Sequence, residues 1–188
     1  MRLVSLLSWI PHERILTGEL DEDDWPRITN AIALISEMKV HMDDTCATNV
    51  ADVVARIIRY VDNDRVRIVF VDGLERFDTV EGGYREVVRA LKDVAVTHQV
   101  AIMCSLTLDT LDDRKLGAIK IDALSNWRDL AHEADSIIFT QTDSDFGDHG
   151  VDRCRVELAK FMGASTSKIF EYCYDQATAR FSVERNIK

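Results

Sequence analysis

The chain has 188 residues, of which 46% are hydrophobic and 30% are charged. This balance is typical of a globular domain and excludes a disordered chain, and the length suits one domain over residues 1–188. The net charge of −10 disfavours independent binding to nucleic acid, because contacts to phosphates need a basic surface, but it leaves protein partners open.

The cysteines and the first ten residues bear on where the protein works. The four cysteines are widely spaced and indicate no disulfide framework. Residues 1–10 are mildly apolar but too short to span a membrane. We therefore expect a reduced, cytoplasmic protein with no membrane segment.

Apolar strands and amphipathic helices alternate along the chain. An acidic turn predicts a helix from residue 21 to about Met38, Val40–Asp43 is predicted as a short strand, and Thr48 is expected to cap the next helix. Two further helices follow from apolar stripes at helical spacing, over residues 50–58 and 87–95. Buried strands are predicted at 66–72, 100–105 and 136–140, and later strands at 155–160, 169–174 and 180–183. This order predicts an α/β fold with a mostly parallel sheet flanked by helices and antiparallel strands at the C-terminal end.

Several segments, in order, resemble the C-terminal domain of DnaB-type replicative helicases. Residues 14–25 carry the R-I-x-T-G-x-L-x-x-x-D-W pattern of that family. Further similarity lies in a strand followed by paired acids, a Walker B strand, a D-A-D segment and the final strands, at residues 40–45, 68–72, 133–139, 158–160 and 178–181. The resemblance implies a RecA-like fold, related to P-loop NTPases, in a partial domain that starts after the Walker A loop.

The resemblance also implies a loss of catalytic groups. The sequence contains no G-x-x-x-x-G-K-[ST], and the family's phosphate loop and water-activating glutamate would precede Met1. Gly163–Lys168 looks superficially like a phosphate loop but is predicted to be a β-connection. Asp72 occupies the Walker B position, where it is expected either to hold Mg²⁺ through water or to hydrogen-bond the local loop. ATP and Mg²⁺ are therefore expected only if a partner completes the site.

Two further positions depart from the family's nucleotide site. Ser105 is followed by Leu106, which cannot hydrogen-bond, where the family has a glutamine that senses the γ-phosphate. Lys160 matches a family lysine, but Phe161 and Met162 follow it where the arginine finger would lie. We interpret Ser105 and Lys160 as vestiges of a nucleotide site or of a subunit interface.

The family's DNA-binding loop is altered as well, since its arginine is shifted and its glycine is replaced. Trp127 and Arg128 would be able to stack on a base and touch a phosphate. A buried or partner-facing tryptophan is the alternative.

These observations support two functional hypotheses. The first is a non-catalytic binder or modulator that docks onto a replicative ring helicase or another replisome protein, with homo-oligomers also open. The alternative is a portion of a split or truncated ATP-dependent helicase that acts only with a P-loop-bearing partner. A remnant without a selected role is a third reading.

The absent phosphate-loop strand has a structural consequence. In the fold that the chain resembles, this strand lies inside the sheet, so its loss leaves unpaired backbone groups beside an apolar layer. We predict one of three outcomes: a narrower sheet, a strand-exchanged dimer, or a partner that completes the layer.

Overall fold

The computed structural model describes residues 1–46, 48–78, 84–108, 128–143 and 151–183. Its helices are α1 (Arg2–Ser8), α2 (His12–Thr17), α3 (Asp24–Glu37), α4 (Val50–Asp64), a short 3₁₀ helix (Leu74–Arg76), α5 (Arg85–Thr97) and α6 (Arg128–Glu133). Its strands are β1 (Ile68–Val71), β2 (Ala101–Cys104), β3 (Ser136–Asp143), β4 (Val151–Phe161), β5 (Ala164–Asp175) and β6 (Arg180–Val183).

Strands β1 and β2 form a two-stranded parallel sheet, in which Ile68 lies beside Ala101 and Phe70 beside Met103. Helices α4 and α5 present apolar stripes to one face of this sheet, as their helical spacing predicted. The buried cluster comprises Ile57, Leu74, Phe77, Val87, Leu91, Val94 and Val100. Side chains of β1 and β2 on that face pack against it, so the sheet has one covered face.

Strands β3 to β6 form an antiparallel sheet in chain order. A two-residue turn joins β4 to β5, and its residues Met162 and Gly163 have φ angles of 48° and 82°. Such positive angles are the backbone conformation that two-residue hairpins require, and glycine adopts them without strain. Residues 164–168 belong to β5, which confirms that Gly163–Lys168 is a β-connection.

The N-terminal helices are held together by a buried carboxylate. Asp24, at the start of α3, is 2.8 Å from Arg14 Nη2 and 3.6 Å from Arg27 Nη1, and it accepts the backbone N–H of Asp21 at 3.1 Å. Arg14 also bonds the exposed Asp21 carboxylate at 2.7 Å. The arginine and the aspartate of the R-I-x-T-G-x-L-x-x-x-D-W segment therefore form one ion pair that sets α2 against α3.

The N-terminal helices also dock onto the far end of the chain. The Ser5 hydroxyl, which is fully buried, donates to the carbonyl of Ile10 at 2.6 Å, and the His12 amide donates to the carbonyl of Ala177 at 2.9 Å. Arg180 donates to the carbonyl of Leu6 at 2.9 Å and stacks on the Trp9 ring, 3.2 Å from its centroid. The first helices and the β5–β6 turn thus form one packed unit.

Two local predictions were wrong. Val40–Asp43 is not a strand: neither β1 nor β2 pairs with it, and Arg56 binds Asp43 at 3.1 Å instead. An extended segment with no strand to pair with gains no ladder of hydrogen bonds. Asn49 rather than Thr48 caps α4, since its side chain accepts the Ala51 amide at 2.8 Å.

The predicted α/β class, with a parallel sheet, flanking helices and antiparallel C-terminal strands, is confirmed. Within the described residues β2 and β3 are not hydrogen-bonded to each other, so the parallel and antiparallel strands form two separate sheets. The narrower sheet, one of the three predicted outcomes, is the arrangement of this single chain.

Replacing Asp24 by alanine should lower the free energy of unfolding by about 2–4 kcal/mol, because it leaves two arginines without their buried partner. Asp21→Ala is the matched control, since the Asp21 side chain is 81% exposed and Asp24 is 5% exposed. The control should cost less than about 1 kcal/mol. Urea unfolding followed by circular dichroism measures both, and equal losses would contradict the central role of Asp24.

Candidate functional site

Asp72 follows the carboxyl end of β1 and Ser105 follows the carboxyl end of β2, so the parallel pairing brings them together. The Ser105 hydroxyl donates to Asp72 Oδ1 at 2.5 Å and accepts the Gly73 amide at 2.8 Å. The Ser105 carbonyl accepts the Leu74 amide at 2.9 Å. Gly73 has a φ of 84°, which turns the chain tightly after β1. Ser105 thereby fastens the turn that carries Asp72.

The residues on either side of Ser105 do not extend this polar site. Leu106 packs against the apolar core that lies under β1 and β2. Burial raises the pKa of the Cys104 thiol from 9.0 to about 11, although part of the residue surface stays accessible. A thiol with such a pKa is protonated and weakly nucleophilic at neutral pH.

Lys160 lies on β4 and reaches the C-terminal end of α6. Its ammonium group donates to the carbonyls of Ala131 at 2.8 Å, His132 at 3.3 Å and Ala134 at 2.7 Å. The last carbonyls of a helix have no partner within the helix, and a cation there also complements the helix dipole. All three donors of this lysine are therefore used in holding α6 against β4.

Arg155 also has a partner on its own strand. Its Nη2 lies 3.6 Å from Glu157 Oε2, and both side chains are largely buried. Arg155 Nε and Glu157 Oε2 have no hydrogen-bond partner in the part of the chain that the structure describes. The guanidinium is thus turned toward its own sheet.

The predicted nucleic-acid contact cannot be compared with the structure. Trp127 lies outside the described residues, and Arg128 begins α6 without a described side chain.

The described residues by themselves do not fit a magnesium nucleotide. Magnesium in such sites needs one or two carboxylates together with substrate phosphates. Asp72 is a single carboxylate already bonded to Ser105, and no group of three or more histidine, cysteine or acidic residues clusters within the described ranges. Lys160, the family-matched cation, is committed to α6 carbonyls.

Comparison with known proteins places this fold. The family model of the DnaB-like helicase C terminal domain matches residues 1–182. The chain belongs to this family. It is 27% identical over 160 residues to the replicative DNA helicase DnaB of Buchnera aphidicola subsp. Acyrthosiphon pisum, covering 79% of this chain and 34% of that protein. It is 21% identical over 169 residues to DnaB of Geobacillus stearothermophilus, covering 84% of this chain and 37% of that protein.

A solved structure agrees in fold. This structure, the ATPase domain of a helicase, superposes with a TM-score of 0.82 at 16% identity, covering 98% of this chain and 69% of that one. The chain thus has the fold of a helicase ATPase domain but spans about a third of the length of the curated DnaB relatives. No helix among the described residues is long and apolar enough to cross a membrane.

For this member of the DnaB-like family, sequence reasoning found Asp72, Ser105 and Lys160 but not what each one contacts. It missed that Ser105 bonds Asp72 and the following turn, and that Lys160 binds α6. The pairing of β1 with β2 held the first signal, because it aligns the two strand ends. The second had no signal in the sequence, since residues 131–134 and 160 lie far apart in the chain.

Replacing Lys160 by methionine should destabilise the chain by about 1–3 kcal/mol, because three carbonyls at the end of α6 lose a charged donor. Amide exchange should rise locally over residues 128–134. Lys168→Met is the control, because Lys168 is an exposed lysine on β5. Hydrogen exchange with mass spectrometry measures both variants, and an unchanged α6 in Lys160→Met would refute this role.

Cys104 should react with iodoacetamide more slowly than the exposed Cys46. Only the thiolate reacts, and a pKa of about 11 keeps its fraction small. The rate at Cys104 should therefore rise about tenfold per pH unit from pH 8 to pH 10. Peptide mass spectrometry follows each site, and a rate that levels off below pH 9 would contradict the raised pKa.

Proposed function

We propose that this DnaB-family chain is a non-catalytic component of DNA replication that binds a replicative ring helicase and modulates its unwinding. The observation that carries this proposal is the structural use of the family-matched polar groups. Ser105 is bonded to the Asp72 turn, and Lys160 is bonded to α6. Groups engaged in this way are not arranged to stabilise charge on a transferring phosphoryl group.

The surface chemistry supports a protein partner rather than free DNA. The chain carries a net charge of −10, which weakens contacts with phosphates and leaves protein interfaces unaffected. A chain with the fold of a helicase ATPase domain also offers surfaces of the kind that ring subunits present to each other. We therefore place its partner in the cytoplasmic replisome.

One observation favours the alternative, in which the chain is part of a split helicase. Asp72 and Ser105 lie together at the carboxyl ends of two parallel strands, the edge where open α/β sheets bind ligands. A partner carrying a phosphate loop would supply the missing nucleotide cradle, and ATP and Mg²⁺ would then bind at the joint site.

The test is to mix the purified chain with the replicative helicase of the organism that encodes it. The first proposal expects a stable complex by size-exclusion chromatography and at least a twofold change in the rate of ATP-driven unwinding. Asp72→Asn should leave both effects unchanged, because the carboxylate has no chemical role in this proposal. Absence of both complex and effect would overturn it.

The same mixture separates the two functions. If the chain is part of a split enzyme, ATP hydrolysis should appear only on mixing with a P-loop-bearing partner, and Asp72→Asn should remove at least nine-tenths of it. Glu75→Gln is the matched control, because Glu75 is another exposed acid just beyond the same turn.

A further inference from the structure

The side of the β1–β2 sheet opposite α4 and α5 is uncovered. Ile68 and Phe70 alternate with the side chains that face the core, and they are 56% and 73% exposed. Met103 lies beside Phe70 in the neighbouring strand and is 51% exposed. Three large apolar side chains on one sheet face are an unusual surface for a chain that works alone.

The outer edge of β2 adds unpaired backbone groups to this face. Ala101 and Ser105 donate their amides to β1, at the carbonyls of Arg67 and Val71. Amides alternate in direction along a strand, so those of Ile102 and Cys104 point away from β1. Neither of these two amides bonds the backbone of another residue within the described ranges.

The same opening is bordered on its other side by β3. Leu106 and Leu130 pack against both the core beneath β1 and β2 and the smaller core formed by Ile137, Phe139 and Ala159. The two sheets therefore lie over one continuous apolar layer although no ladder joins them. Ile138, on the opposite face of β3 from that core, is exposed like Phe70.

We propose, resting on the function proposed above, that the β2 edge and the bare face of Ile68, Phe70 and Met103 are the docking surface for the helicase. The occupant is an extended apolar segment of a helicase subunit, which pairs with the Ile102 and Cys104 amides, and an adjoining apolar helix covers the face. A strand meets the backbone groups, but a strand lying in the plane of the sheet does not cover its face, so both elements are needed.

Two observations select this occupant over a second copy of the chain. Two copies, each with a charge of −10, repel each other. The matching solved ATPase domain contains more chain than this one, which covers 69% of it, so this fold accommodates additional elements.

The test compares the binding of two surface variants to the replicative helicase by biolayer interferometry. Phe70→Ser removes the largest exposed side chain of the face, and Cys104→Pro removes an outward amide while leaving the bonds to β1 in place. Each should raise the dissociation constant at least tenfold. Phe170→Ser, a matched change of an exposed phenylalanine on β5, should change it less than twofold.

A second measurement is independent of any variant and remains decisive if Cys104→Pro fails to fold. In the complex, residue-resolved hydrogen exchange should slow at the amides of Ile102 and Cys104. Exchange at Ala101 and Ser105, which already bond β1, should change little. Alternating protection of this kind is a signature of strand pairing.

The outcomes distinguish the two proposals. Tight binding that neither variant weakens, with no change at Ile102 and Cys104, overturns the docking surface and leaves the proposed function standing. Dimerisation of the chain alone that Phe70→Ser abolishes, without binding to the helicase, assigns the surface to a second copy and overturns this occupant. Absence of both helicase binding and self-association overturns both proposals.

Discussion

Leu106 and Leu130 each pack against two buried clusters, and this shared packing joins the parallel and the antiparallel sheets. Hydrogen bonds do not make that connection, because β2 and β3 belong to separate ladders within the described residues. Apolar contact is non-directional, so it holds two sheets together without requiring a strand between them. The fold therefore tolerates an incomplete sheet as long as the layer under α4, α5 and α6 stays buried.

This solution has a cost on the opposite side of the parallel sheet. Apolar burial on one face needs β-branched and aromatic side chains in β1, and their alternation along the strand places Ile68 and Phe70 on the other face. Where helices cover both faces of a parallel sheet, such side chains are buried on either side. Here they are buried on one side, which turns a property of the fold into an exposed surface.

Sequence patterns predicted the described helices α3, α4 and α5 and all six strands because each rests on local apolar periodicity. They failed at Val40–Asp43, where a strand depends on a neighbour that its own residues do not specify. The candidate site divides in the same way. Asp72 was found because an acid after an apolar strand is a local signal, whereas its bond to Ser105 depends on strand register.

Lys160 illustrates why a matched residue type does not establish a matched role. A lysine on a strand has three donors and a flexible stem, and it binds whichever acceptors the tertiary structure brings near. In this chain those acceptors are the last carbonyls of α6, which the helix itself leaves unpaired. Moving this ammonium group to a phosphate would leave those carbonyls without their donor, so nucleotide binding by Lys160 and the present position of α6 compete for one side chain. The present geometry resolves that competition in favour of the fold, and this supports reading the chain as a binding protein built on a helicase domain.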